Sequence, residues 1–388
     1  MLRTAFVLAA LGLPATALAP AATVETVAGS VKGELVRISP KVVVVKAAAE
    51  RSIELGSVIS IGFDGGARLA DAKVTAFLAA GPGRAGGAGL LCEITSAGED
   101  RIVLNSAAFG ELSVPIAELS GMVLPGANAK QRKDIAAEIA SGKAPVKDRL
   151  YLPNGDRMEG LITKVSSETV TFEGMLGELD YSLQKLAGVL FGEASRRPAG
   201  FAGLHAAVVA STGEAIAGVP EELADGHLRL KTAYGSSARI ALSDVRSVLV
   251  RGGRAVPLAG LSPVRSDSRP LYEGEPPIWP KLKSSGRSLV LRPHSTVVYD
   301  LAGRYERLTA KALVRRRDGS VSLRMLADGR EVLNIEKLTG GDGARAIDVA
   351  LAGARRLVIV CGFGPEIDDA GDALELGGAH LVKPKEAK

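Results

Sequence analysis

The chain has 388 residues, 46% of them hydrophobic and 23% charged, with a net charge of +5. That is enough apolar material for two or three domains with ordinary cores, and it excludes an intrinsically disordered chain. Glycine is abundant (46), aromatics are scarce (4%, one Trp) and the basic excess is mild and spread out, a balance that favours short strands and tight turns over long helices or a dedicated nucleic-acid surface.

The first segment, "MLRTAFVLAALGLPATALAPAA", carries Arg3, an apolar run from Ala5 to Leu13, a break at Pro14 and the small residues Ala17-Leu18-Ala19. That order predicts an export signal over residues 1–21, cut after Ala19 or, because Pro20 hinders that bond, after Ala17 or Ala21. The run falls well short of the roughly 20 apolar residues that span a bilayer, and no later segment reaches that length. The expectation is an exported chain, periplasmic or at the cell surface, with no membrane span once the signal is removed. Cys92 in "GLLCEI" and Cys361 in "LVIVCGFG" both sit in apolar strand-like runs, which predicts buried free thiols rather than a bridge.

Residues 22–127 and 149–255 repeat one plan. "FGELSVPIAELSGMVLP" from Phe109 and "LGELDYSLQKLAGVLFG" from Leu176 align without a gap, pairing Gly110 with Gly177 and Gly121 with Gly188. Weaker copies flank them, giving repeats 1 and 2 in the first stretch and repeats 3 and 4 in the second. Each reads as an apolar strand, a second such as "KVVVV", "RIVLN", "TVTFE" or "HLRLK", a glycine or charged turn, and a third. A three-stranded meander buries only one face, so these small antiparallel units are expected to close into barrels or to stack as meanders. Between them, residues 128–148 contain "NAKQRKDIAAEIASGK", with Asn128 as N-cap, Ile135 and Ile139 at i,i+4 and Gly142 as a stop, which predicts one short linker helix.

The Pro- and Ser-rich "VPLAGLSPVRSDSRPLYEGEPPIWP" marks a boundary, and residues 256–388 read as a separate domain. In "YERLTAKALV", Leu308, Ala310, Ala312 and Val314 share one face while Arg307, Thr309 and Lys311 share the other, the period-2 pattern of a half-buried strand. Asp318-Gly319 and Asp328-Gly329 are hairpin turns around "SVSLRMLA", and "ARRLVIVCGFG" is apolar enough to be a central strand. The fold class is therefore all-β: repeated small antiparallel units followed by a jelly-roll-like β-sandwich.

The tail also carries "HSTVVYDLAGRYERLTA" (residues 294–310), "VSLRMLADGREVL" (321–333), "IDVALAGARRLVIVCGFG" (347–364) and "GDALELGGAHL" (371–381). In order and spacing these patterns resemble the NPCBM family of carbohydrate-binding modules, which implies a galactose-binding-domain-like sandwich and a glycan ligand. The repeats resemble no family we can name. The family's Asp-His-Ala-Asp-Trp is represented only by Asp372, with Ala373, Leu374, Glu375 and Leu376 in place of the rest. Loss of that Trp removes one platform for a sugar ring. The remaining candidates for ligand contact are Trp279, Tyr272, Tyr299 and Tyr305 as aromatic faces, and His294 and Asp372 as polar groups. Places in the core compete for Tyr299 and Tyr305.

Catalysis needs a nucleophile with its base, a carboxylate pair or a metal. His205, His227, His294 and His380 are scattered, and there is no H-E-x-x-H, C-x-x-C or G-x-S-x-G pattern, so no enzyme and no cofactor are expected. "GPGRAG" (81–86) precedes a strand rather than a helix and reads as a turn. The basic "RRRDG" (315–319) reads as a solvated strand face. "EIDDAGDALE", with Asp368, Asp369, Asp372 and Glu375, reads as a solvated acidic turn in preference to a structural Ca²⁺ site, because it lacks EF-hand spacing. The function expected is that of an exported, non-catalytic binding protein for polysaccharide, glycan or another cell-surface polymer, with the repeats as scaffold. The alternative is a structural or assembly protein whose partner is another cell-envelope protein.

Overall fold

The computed structural model describes residues 21–65, 72–80, 89–175, 177–268, 288–364 and 372–385. Residues 1–20 of the expected signal, the 81–86 turn, Tyr272, Trp279, Asp368 and Asp369 lie outside the described residues.

Each repeat is a unit of five strands, two more than the sequence pattern suggested. Repeat 1 contains β1 (Ala21–Thr26), β2 (Gly29–Ile38), β3 (Val42–Lys46), β4 (Glu50–Glu54) and β5 (Val58–Phe63). Repeat 2 contains β6 (Val74–Leu78), β7 (Gly89–Ala97), β8 (Arg101–Ser106), β9 (Gly110–Pro115) and β10 (Leu119–Val123). After helix α1 (Ala129–Ala140), repeat 3 contains β11 (Asp148–Tyr151), β12 (Arg157–Val165), β13 (Thr169–Gly174), β14 (Gly177–Ser182) and β15 (Gly188–Leu190). Repeat 4 contains β16 (His205–Ala210), β17 (Ala215–Ala224), β18 (His227–Lys231), β19 (Ser237–Ala241) and β20 (Val245–Arg251).

In every repeat the first four strands form a meander, a single turn of 3-10 helix follows, and the fifth strand returns to pair with the first. The fifth strands then pair with one another, β5 with β20 and β10 with β15. The result is two ten-stranded antiparallel sheets, one from repeats 1 and 4 and one from repeats 2 and 3, neither closed into a barrel.

The aligned glycines explain the seam between repeats 2 and 3. A Cβ on Gly121 would stand 2.5 Å from the Val189 carbonyl oxygen and 2.9 Å from Ile139 Cδ1. On Gly188 it would stand 2.9 Å from the Met122 oxygen and 3.1 Å from Ile135 Cγ2. Only glycine lets β10 and β15 pair there while α1 lays Ile135 and Ile139 across them. The helix begins in a capping box, with Asn128 Oδ1 accepting from Gln131 N (2.9 Å) and Gln131 Oε1 accepting from Asn128 N (3.0 Å). It is thus more than a linker: it covers the outer face of this seam together with Phe77, Val123, Tyr151 and Leu190.

The second strand of each repeat bends to serve two partners, pairing with the first strand over one half and the third over the other. A register shift marks the same place each time, at Leu35/Arg37, Ile94/Ser96, Ile162/Lys164 and Pro220/Glu222. Two residues before the shift stand Gly33, Gly160 and Gly218, where a Cβ would press on the carbonyls of Lys46, Glu173 and Lys231. Repeat 2 has the buried Cys92 at the equivalent position.

The two sheets share one core. They meet along the fourth strands of repeats 2 and 4, where Arg239 N donates to Phe109 O (3.3 Å) and Ser113 N to Ser236 Oγ (3.2 Å). Glu214, 1% exposed, crosses between them. Its Oε1 accepts from Leu91 N (3.1 Å) and Ser106 Oγ (2.6 Å), and its Oε2 from Thr212 Oγ1 (2.8 Å). A buried carboxylate is tolerable only when its lone pairs are used in this way.

The C-terminal domain has β21 (Ala255–Pro257), β22 (Arg265–Ser268), β23 (Ser288–Leu291), β24 (Ser295–Asp300) and β25 (Arg307–Val314). It continues with β26 (Ser320–Ala327), β27 (Arg330–Thr339), β28 (Arg345–Ala350), β29 (Arg356–Phe363) and β30 (Leu374–Val382). One sheet runs β21-β30-β25-β28, with β23 also on β30; the other runs β22-β24-β29-β26-β27. The inward phase of both supplies one apolar core, so the sandwich expected from the alternation is present. It docks on repeat 1 through Val27, Ile59, Ala255 and Val382. Arg254 N donates to Gly56 O (2.8 Å), and the Arg307 guanidinium donates to Val27 O.

Three substitutions test this account. Gly160→Ala should destabilise the protein by about 1–3 kcal/mol, the usual cost of an overpacked methyl, read as a lower denaturant midpoint at unchanged slope. Glu214→Ala should cost about 3 kcal/mol because it strands the Leu91 and Ser106 donors, and Glu214→Gln, which keeps an acceptor, should cost less. Equal midpoints for the two Glu214 variants would remove the carboxylate from the account of how the sheets are joined.

Candidate functional site

Strand registers bring distant segments to one end of the sandwich. Ser295 lies opposite Cys361, Val321 opposite Phe363, Ser320 opposite Thr339, and Leu291 and Val314 both opposite Leu374. The starts of β24, β26 and β30 and the ends of β23, β25, β27 and β29 therefore form a common rim. The opposite end, where Arg307 faces Val382, holds the junction with repeat 1.

His294 is exposed on this rim with φ of 60°, a left-handed conformation uncommon outside glycine. Its ring centroid lies 5.7 Å from that of the half-buried Phe363, at 49°. Arg292 is exposed two residues before His294. The pair offers an apolar face beside groups able to hydrogen-bond a hydroxyl, the mixture that small polar ligands need. Phe363 escaped the sequence reading because "LVIVCGFG" reads as one buried strand. The only sign of its place is that it is the last aromatic before Gly364, where the strand ends.

The other expected residues fall elsewhere. Tyr299 and Tyr305 are 1% and 4% exposed and pack inside the sandwich, so neither ring presents a face to a ligand. Burial pushes the Tyr299 hydroxyl up to about 12, and that hydroxyl has no hydrogen-bond partner among the described residues. Its position was legible: Val297, Tyr299 and Leu301 fall in one phase and all three are buried. Asp372 is buried at the rim, where its Oδ2 accepts from Ser320 N (3.2 Å) and steadies the start of β26. A Cβ on Gly319 would collide with its carboxylate, which explains the glycine of that hairpin turn.

Much of the basic run beside the rim is paired. Arg315 Nε and Nη2 lie 2.9 Å from Glu375 Oε2, and Arg316 Nε donates to Asp318 Oδ1 at 3.0 Å. The Arg316 guanidinium holds the Asp318 carboxyl below the usual carboxylate range. Such exposed pairs steer local geometry more than they stabilise.

Residues 257–382 match the NPCBM/NEW2 domain. The resemblance carried by the four sequence patterns is therefore borne out for the C-terminal third. No curated protein matches the chain. Among solved structures, the CBM51 module of a Clostridium perfringens GH95 protein in complex with methyl-galactose is similar at 19% identity. That likeness covers 33% of this chain and 99% of the module, with a TM-score of 0.28. Tandem CBM51 modules of a family 98 glycoside hydrolase from Streptococcus pneumoniae are similar at 10% identity, covering 46% of this chain and 71% of theirs, with a TM-score of 0.27. The CBM51-2 and INT domains of Clostridium perfringens ZmpB are similar at 12% identity, covering 40% of this chain but only 36% of theirs, with a TM-score of 0.27.

Cys92 and Cys361 are both free and buried, as their apolar surroundings implied. Burial pushes each thiol up to about 12, with nearby carboxylates, Glu214 for Cys92 and Asp372 for Cys361, adding to the rise. A group whose folded value exceeds its unfolded value stabilises the fold below the unfolded value and ceases to do so as pH rises. Unfolding free energy should thus fall between about pH 9 and 12, and replacing both cysteines by Ala should flatten that part of the curve. Neither thiol should react with a chromogenic disulfide at pH 8 until denaturant is added. Tyr299→Phe, which removes only an orphan hydroxyl, should leave the thermal midpoint unchanged or raise it; a lowered midpoint would reveal a partner for that oxygen.

Proposed function

We propose that this is an exported, non-catalytic binding protein whose NPCBM-like module holds carbohydrate, or another hydroxyl-rich cell-surface polymer, at the rim around His294 and Phe363. The match of residues 257–382 to the NPCBM/NEW2 domain carries this reading. The rim supports it: an aromatic face, an imidazole and the exposed Arg292 stand together at the sandwich end away from the repeats. The repeats then serve as scaffold. The N-terminal pattern of Arg3, a short apolar run and small residues supports export. No helix among the described residues is long and apolar enough to cross a membrane.

The ligand contacts proposed here are His294 and Phe363, with Trp279 and Tyr272, outside the described residues, as further aromatic candidates. Asp372 acts by positioning the start of β26 rather than by touching the ligand. Binding by a single shallow rim is expected to be weak, on the order of 10 µM to 1 mM.

On a glycan array the mature chain should bind a restricted set of glycans, and Phe363→Ala and His294→Ala should each weaken that binding about tenfold, a loss of about 1.4 kcal/mol. Tyr299→Phe should leave it intact. Binding that survives both rim substitutions would move the site elsewhere on the module. No binding to any glycan at high protein concentration, together with a specific envelope protein recovered by cross-linking, would favour the assembly reading instead.

A further inference from the structure

The four repeats share one design, and comparison of their fourth strands isolates one surface. The inward phase of β9 places Leu112 and Val114 in the common core, and that of β19 places Ala238 and Ile240 there, all at most 1% exposed, because these two edges abut. The equivalent residues on β4 are Arg51 and Ile53, and on β14 they are Leu179 and Tyr181. The first repeat has thus placed a charge where its edge meets water, a common protection for a free strand. Repeat 3 has not: Leu179 is 45% exposed, and β14 pairs with β13 on one side and with no strand among the described residues on the other.

More apolar surface is exposed in the same repeat. Six large apolar residues among the described ones are exposed, and four of these, Val146, Leu161, Met175 and Leu179, belong to repeat 3 or its approach. Val146, Leu161 and Met175 line an open groove of about 420 Å³ with Glu159 and Glu173, on the outward face of the sheet and so opposite the phase of Leu179. Isolated exposed apolar residues need no explanation, but an exposed leucine in the inward phase of an unpaired edge does. Acids frame the same place. Glu173 lies opposite Glu178 across β13 and β14, and Asp180 continues the row along the edge strand.

We propose that the β14 edge is a docking site for an extended segment of another polypeptide, one that alternates apolar and basic side chains. Its backbone would take up the free hydrogen-bonding positions of β14 as an added strand. Its apolar side chains would continue the phase of Leu179 and Tyr181, and its lysines or arginines would lie over Glu178 and Asp180. Charge selects this occupant over a second copy of the chain. Two β14 edges brought together would oppose acid to acid, and β4, the other free fourth strand, presents Glu50 and Glu54 on the same outward phase. This site belongs to the repeats and is independent of any ligand at the sandwich rim.

The test uses the full mature chain with a fluorescein-labelled nine-residue peptide alternating valine and lysine, and a matched peptide of valine and glutamate, followed by fluorescence anisotropy. The lysine peptide should bind at least tenfold more tightly and should slow amide exchange in residues 177–182. Leu179→Lys should weaken it at least tenfold. Glu178→Lys, on the solvated phase, gives up only the exposed hydrogen bond from Thr163 Oγ1 (2.6 Å) and should do the same with a thermal midpoint little changed. Equal affinity for the two peptides, binding indifferent to both substitutions, or a concentration-dependent dimer abolished by Leu179→Lys would each overturn the proposal, the last by giving the edge to a second copy.

Discussion

A twisted five-stranded unit leaves one apolar sheet face and two strand edges without partners, and the architecture of the repeats is the set of ways in which these are closed. The faces are closed by stacking the two ten-stranded sheets over one core. The fifth-strand edges are closed by mutual pairing, which is cheap because a backbone ladder satisfies donors and acceptors without asking for particular side chains. It asks only for closeness, and closeness is why Gly121 and Gly188 recur at matching places. The fourth-strand edges have no such general solution. Those of repeats 2 and 4 close on each other, and those of repeats 1 and 3 are left at the ends of the series.

The nested order of the repeats follows from this. Repeats adjacent in sequence, 2 and 3, pair through their fifth strands with α1 between them, whereas repeats 1 and 4, which pair in the same way, are separated in sequence by the whole of the other sheet. Repeat 1 meets the sandwich through Val27 and Ile59, which belong to its β1–β2 turn and to β5 rather than to its β4 edge. Glu214 is placed where a mismatch between the sheets would be most costly. Its three donors come from both sheets, and a carboxylate that gathers them disfavours any register that would leave it buried and unpaired.

Local regularities were legible in the sequence and long-range ones were not. The helix could be read residue by residue, from Asn128 through Ile135 and Ile139 to Gly142, because a cap, a stripe and a stop all act within a few residues. The sandwich strands could be read from their alternation, and the family resemblance from four patterns in order. The count of strands per repeat was missed in part because the fourth and fifth strands are joined by a single 3-10 turn and read as one strand ending in an apolar run. The rim was missed for a different reason. His294, Phe363, Ser320 and Asp372 come together only through antiparallel registers that no local pattern encodes.

The same period of two that hid Phe363 also decides what Tyr299 can do. A tyrosine in phase with Val297 and Leu301 is committed to the core, whatever its chemistry would offer a sugar. A ligand face on a β-sandwich must therefore come from outward positions or from strand ends, where alternation no longer dictates which way a side chain points. His294 meets that condition through its left-handed backbone, which turns the chain at the threshold of β24 and leaves the imidazole outside while Ser295 is already buried. The two surfaces proposed for recognition, the rim of the sandwich and the uncovered edge of β14, both lie where alternation or strand pairing stops.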